Sequence, residues 1–155
     1  VDLPVIGVGA VLFDDEGRIL LVKRSHDPGK GKWSIPGGIL ELGEEVFEGA
    51  RRELEEETGL KATPRGIVGV AEYIERSRSG AYRFHYVILD VLFSKPVEGR
   101  LHAASDAADA GFHSVEYALS NLQLTSTTRL FLEEIRGWGA KPVLIRPVTS
   151  RVNGG

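Results

Sequence analysis

From Val46 to Thr58 the apolar residues Val46, Phe47, Ala50 and Leu54 recur on one helical stripe, and Gly59 follows as a stop. No other stretch constrains the fold as tightly, because an amphipathic helix must lay that stripe on something apolar. The same region is the acidic locus. Gly38 to Leu60 holds eight Glu against Arg51 and Arg52, a net of −6, whereas the rest of the 155 residues carries 17 basic and 14 acidic side chains. A long nucleic acid needs a broad basic face, and this pattern offers none.

Around the helix the chain reads as strands. Val5 to Phe13 and Arg18 to Arg24 are apolar runs separated by Asp14-Asp15-Glu16-Gly17, which predicts a hairpin. Ser25 to Lys32 suits a surface loop, and Trp33-Ser34-Ile35-Pro36 leads into Gly37-Gly38 as a loop or short edge strand. Ile67 to Glu75 and Tyr82 to Phe93 are rich in β-branched and aromatic residues and predict two long strands joined by a turn. A loop over His102 to Ala110 precedes Gly111 to Val115, and the apolar stripe Leu130, Phe131 and Ile135 predicts a last helix over Thr125 to Arg136. Pro142 to Val148 offers a short strand and Thr149 to Gly155 a loose tail, so 1–148 reads as a single domain and 149–155 as the tail.

Composition limits the rest. An apolar content of 42% is enough for one sizeable core. Apolar runs such as Val87 to Phe93, with Asp90 inside it, are far short of the ~20 residues that span a bilayer. The opening Val-Asp-Leu-Pro lacks the layout of a secretory signal, and a cytoplasmic location is the expectation. Without cysteine there is no disulfide, thiolate zinc site or cysteine nucleophile, so any metal must be held by oxygen or imidazole.

On a helix, Glu53, Glu56 and Glu57 fall at relative angles of about 0°, 300° and 40°, and Ala50 and Leu54 at about 60° and 100°. Three carboxylates therefore share a face that borders the buried stripe. Such crowding is unfavourable without a counter-ion, and hard divalent cations such as Mg²⁺ take carboxylates, substrate phosphates and water as ligands. Gly37-Gly38 permits close backbone approach, and Glu44 stands at the helix start, where the dipole favours an anion. The competing reading is a solvated Glu-rich surface, which fits Glu41, Glu45, Glu48 and Glu55.

The full spacing decides between them. Gly38, five residues, Glu44, seven residues, then Arg52-Glu53-Leu54-Glu55-Glu56-Glu57-Thr58-Gly59-Leu60 resembles the Nudix box at every specified position. With seven positions of fixed identity, at roughly 7% usage each, coincidence arises on the order of once in 10⁸ start positions. The strand leading to Lys23-Arg24, the Trp33 to Gly38 segment and the C-terminal helix extend the resemblance over most of the chain. It implies an α/β fold, an α/β/α sandwich around a mixed sheet with the box as loop-helix-loop. It also implies that Glu53, Glu56 and Glu57, the Gly38 carbonyl and Glu44 bind Mg²⁺ or Mn²⁺, and that Arg52 orients a glutamate. Water would then attack phosphorus in a nucleoside diphosphate derivative, giving up its proton to a carboxylate. Family members place this base either in the box, here Glu53, or on a later loop, where Asp106, Asp109 and Glu116 stand. A homodimer is a further implication of the resemblance.

The box leaves the substrate open. Arg24 and Lys23, with Arg76, Arg78 and Arg83 at the turn, are candidates for phosphate or sugar, and each also reads as a solvated charge. Trp33, Tyr73, Tyr82, Phe84 and Tyr86 offer flat surfaces to a base or else belong to the core. Arg24, Trp33, Tyr73 and Arg83 are the substrate-binding candidates carried forward. Trp33 to Gly38 together with Phe84-His85-Tyr86-Val87 is similar to small ADP-ribose pyrophosphatase-like Nudix proteins, which makes ADP-ribose or a related sugar nucleotide the first expectation. The alternatives are MutT-like release of pyrophosphate from a nucleoside triphosphate and a Nudix-fold sensor that binds a nucleotide without cleaving it. The complete set of box carboxylates tells against the sensor.

Overall fold

The computed structural model describes residues 3–104, 107–138 and 142–154. Among them the chain forms β1 (Val5–Val11), β2 (Ile19–Arg24), β3 (Trp33–Ser34), β4 (Gly37–Ile39), α1 (Val46–Thr58), β5 (Leu60–Arg76), β6 (Tyr82–Gly99), β7 (Ala107–His113), α2 (Val115–Asn121) and α3 (Ser126–Arg136). Two sheets result, ordered β4-β1-β6-β5 and β3-β2-β7. The first is mixed, since β1 and β6 run parallel while its other pairs are antiparallel.

The predicted hairpin closes only at its turn. Phe13 bridges Ile19, and the Asp14 N–H and side chain tie that turn to Arg18. Beyond it β1 pairs with β4 and β6 while β2 pairs with β3 and β7, so the two strands enter different sheets. A strand has only two edges, and these neighbours occupy both.

Period-two alternation distributes the core to both sides. Val8, Ala10 and Leu12 from one face, with Leu20 and Val91, pack against Ala50 and Leu54 of α1. Val11, Ile19 and Leu21 face the other way, onto Ala118 of α2 and Phe131 and Leu132 of α3. The result is the layered α/β/α arrangement that the resemblance implies. In α3 the expected stripe is corrected: Leu130 is 64% exposed, and the wholly buried position is Leu132.

Helix α1 has the bounds the pattern predicts. Gly59 caps it at φ 75°, donating its N–H to the Glu55 carbonyl, while the Thr58 hydroxyl donates to Leu54 O at 2.6 Å. In the long antiparallel pair β5 exceeds the expected bounds at both ends, while β6 begins at Tyr82 as expected and runs on past Phe93, and the register shifts absorb Pro64. β7 begins inside the expected loop because Ala107–His113 completes an edge of β2. Helix α2 was not anticipated; Ser114 starts it by accepting the Tyr117 N–H. Of the expected strand at 142–148, one bridge is formed, Ile67 with Ile145, at 2.7 and 3.0 Å. Arg151, further on, donates to Gly43 O and to the Glu45 carboxylate, both at 3.1 Å.

Candidate active site

A cavity of about 680 Å³ opens on the face of the mixed sheet opposite α1, within the size range of ordinary ligand sites. Strand register builds its floor in rows. Gly37, Gly9, Asp90 and Gly69 lie side by side across β4, β1, β6 and β5; the next row is Ile39, Gly7, Ile88 and Ala71; Tyr86 and Tyr73 pair beyond. Three glycines leave Asp90 as the single side chain of its row. A Cβ on Gly9 would collide with the Asp90 carboxyl, which settles why the bare backbone is needed there.

Where the floor ends at β4, the acidic edge begins. Glu53 and Glu57 of α1 line the cavity, and a Cβ on Gly38 would meet the Glu53 carboxylate well inside contact distance. Arg52 gathers the cluster: it holds Glu44 with two bonds, at 2.7 and 3.0 Å, and reaches Glu53 at 2.7 Å, Glu56 at 3.2 Å and the Ile39 carbonyl at 3.1 Å. The effects on the carboxyls diverge. Arg52 pulls Glu44 below the usual carboxylate range, whereas burial pushes Glu53 up despite the same guanidinium. Glu57, 6% exposed, hydrogen-bonds Glu53.

This arrangement is the test of whether a cation fits. Among the described residues no three acidic or histidine side chains close into a ready cage. The donors nevertheless have the right chemistry. Glu53 and Glu57 interact directly at the cavity edge, where two ionised carboxylates would repel, and a divalent ion would offset both charges. Gly38 leaves its backbone open to the same spot. The residues present therefore fit a hard divalent cation.

The remaining candidates separate. Arg24 lines the cavity with its Nε bonded to Pro28 O at 2.6 Å, and Tyr73 lines it with its hydroxyl on Glu75 at 2.6 Å. That bond, and burial, push the Tyr73 phenol up to about 12. Trp33 instead packs in the second core, edge-on to His113 at 5.1 Å, and Arg83 pairs with Glu75 at 3.3 Å on the outer surface. Neither is brought to the cavity, since Trp33 shares its strand face with the α2/α3 core and Arg83 lies beyond the floor. Arg76 likewise turns to the Tyr82 hydroxyl. Of the later-loop acids, Asp109 and Glu116 are exposed and Glu116 pairs with Arg136, while Asp106 lies outside the described residues.

Sequence reasoning passed over Asp90, Ser34 and Thr128, all of which line the cavity and are buried. A signal existed for Asp90: a lone carboxylate interrupting the apolar run Val87 to Phe93 requires an explanation. Ser34 and Thr128 carried none.

Residues 3–135 match the model of the NUDIX domain, and the chain belongs to the Nudix family. Among particular relatives, the ADP-ribose pyrophosphatase of Methanocaldococcus jannaschii is 37% identical over 119 residues, covering 77% of this chain and 64% of that protein's length. The crystal structure of a MutT NUDIX hydrolase from Burkholderia pseudomallei superposes with a TM-score of 0.75 at 29% identity, over 86% of this chain and 99% of that one. A bifunctional NMN adenylyltransferase/ADP ribose pyrophosphatase from Francisella tularensis, solved with AMP and a manganese ion, shares the fold: TM-score 0.67, 24% identity, 88% of this chain and 42% of that one.

Proposed function

We propose that this protein is a divalent-metal-dependent pyrophosphohydrolase whose substrate is ADP-ribose or a related nucleoside diphosphate sugar. The observation that carries the reading is the placement of the α1 carboxylates at the open edge of a nucleotide-sized cavity, with Gly38 bare beside Glu53. The 37% identity to an ADP-ribose pyrophosphatase supports the choice of substrate.

In this reading Glu53, Glu56, Glu57 and the Gly38 carbonyl hold Mg²⁺ or Mn²⁺, and Glu44 assists through Arg52. The ion supplies positive charge to the diphosphate and lowers the pKa of the attacking water. The chain's own residues do the rest. Arg24 meets a phosphate from the loop side, and Tyr73 borders the nucleoside end. Glu53, which lines the cavity beside the bare Gly38, is the base assigned here to take the water's proton.

Purified protein with Mg²⁺ should convert ADP-ribose into AMP and ribose 5-phosphate, and EDTA should abolish turnover. Glu53→Gln should lower kcat by about 10²-fold or more, with Glu57→Gln also strongly impaired. The similarity to a MutT NUDIX hydrolase favours a second reading, in which a nucleoside triphosphate yields the monophosphate and pyrophosphate. Product analysis separates the two. Wild-type rates in both glutamine variants would refute the site.

A further inference from the structure

The cavity floor holds one acidic group that the hydrolytic chemistry does not use. Asp90 is 4% exposed, sits mid-sheet on β6 between Gly9 and Gly69, and lines the cavity away from the α1 carboxylates. Among the described residues it has no hydrogen-bond or ion-pair partner, and desolvation alone acts on it. The Ser34 hydroxyl, also buried and lining the cavity, finds no partner either. Buried polar groups are ordinarily satisfied, and an orphaned carboxyl costs more than a hydroxyl. Of the two, the Asp90 carboxyl is the costlier to leave unmatched, and a donor on a ligand in this cavity would supply its missing bond.

The surroundings decide which part of a ligand that is. The basic lining residues Arg24, Lys32 and Arg52 belong to the end of β2, the loop after it and α1, and none belongs to the floor formed by β4, β1 and β6. Phosphates are drawn to that rim. The floor away from that rim carries no charge but Asp90: glycine backbone at Gly7 and Gly9, flanked by Ile35, Ile88 and Ala71. A planar heterocycle fits such a surface, with its polar edge turned to the carboxyl.

We propose that Asp90 is the specificity-determining residue of this site, accepting a hydrogen bond from the exocyclic amino group of the substrate's nucleobase. The assignment rests on the nucleotide-hydrolase reading for the identity of the ligand, but it concerns binding and not bond cleavage. Burial pushes the Asp90 carboxyl up to about 7, the mark of a group with no compensating donor among the described residues. An amino N–H supplies one. A base without it leaves the carboxyl orphaned, and sites built this way discriminate strongly.

Nucleoside monophosphates are the probes, because they test recognition without turnover. AMP, GMP, CMP and UMP are titrated calorimetrically into wild-type protein, and the tightest is compared with its analogue bearing hydrogen in place of the amino group. The amino nucleotide should bind about tenfold or more tightly than the analogue. Asp90→Leu should bring the two within about twofold, whereas Asp90→Asn, whose amide oxygen still accepts, should retain the preference. Thermal melts confirm that both variants fold. Tightest binding of UMP, no discrimination in wild type, or equal discrimination in Asp90→Leu overturns the proposal. Hydrolysis of ADP-ribose, followed separately, can fail without altering these affinities, so failure of the enzymatic reading is told apart from failure of this one.

Discussion

Arg52 and Asp90 show two treatments of a carboxyl near the core. Arg52 spreads one guanidinium over Glu44, Glu53 and Glu56, so each keeps a countercharge although the cluster borders the buried stripe. Asp90 has none, and its cost appears in the pH dependence of stability. Its carboxyl titrates near 7 in the folded chain against 3.8 as the reference, so between those values the native state keeps a proton that the unfolded state has lost. Stability contributed by this group is thus full below about pH 4, declines as pH rises, and is gone above about 7. Asp90→Asn should be more stable than wild type at pH 8, with the gap closing towards pH 4. Urea midpoints at pH 4, 6 and 8 measure it, and a gap independent of pH would contradict the burial argument. The acidic face itself was legible from spacing: Glu53, Glu56 and Glu57 fall within one turn of any α-helix. Which of them is buried was not, because that depends on how far the cavity wraps around the end of β4.

Among the elements, α1 is where local pattern and tertiary context agree most closely. Its apolar stripe, glycine stop and bounds all follow from nearby residues, and Ala50 and Leu54 are wholly buried as that stripe requires. Leu54→Ala should therefore cost about 2–5 kcal/mol through lost burial and an unfilled cavity. Leu130→Ala, on the exposed side of α3, should stay within about 0.5 kcal/mol. Chemical denaturation of both variants distinguishes a correct assignment of these faces from a reversed one. Elements defined by long-range pairing were less legible. β1 and β2 read as a hairpin because apolar runs flank a turn, yet each takes one partner from far along the chain, β6 and β7, some 80 residues or more away. Helix α2 escaped notice since a seven-residue segment has too few turns to display a periodicity.

At the scale of the whole molecule, the carboxylate helix and the cavity floor lie on opposite faces of one sheet, and meet at its border. α1 packs beneath the mixed sheet, and Arg52, Glu53, Glu56 and Glu57 round the three-residue strand β4 to reach the cavity above. A short edge strand is what lets the two meet. If the cluster binds a divalent ion only in the folded state, Mg²⁺ or Mn²⁺ at about 100-fold its Kd adds about 2.7 kcal/mol, raising Tm by about 5 to 10 °C. Scanning calorimetry with metal and with EDTA checks this, and the shift should vanish in a Glu53→Gln/Glu57→Gln double variant. An equal shift in that variant would place the ion elsewhere.

The amino-acid order alone determined the α1 helix, the carboxylates on one of its faces and membership of a family, because all three depend on residues within a few turns of each other. Only the tertiary structure decided that Asp90 is orphaned over a glycine row, that Trp33 belongs to the core and that Arg83 faces outward. Those outcomes depend on which strands pair and which faces become covered, and strands are matched by surfaces assembled from distant parts of the chain.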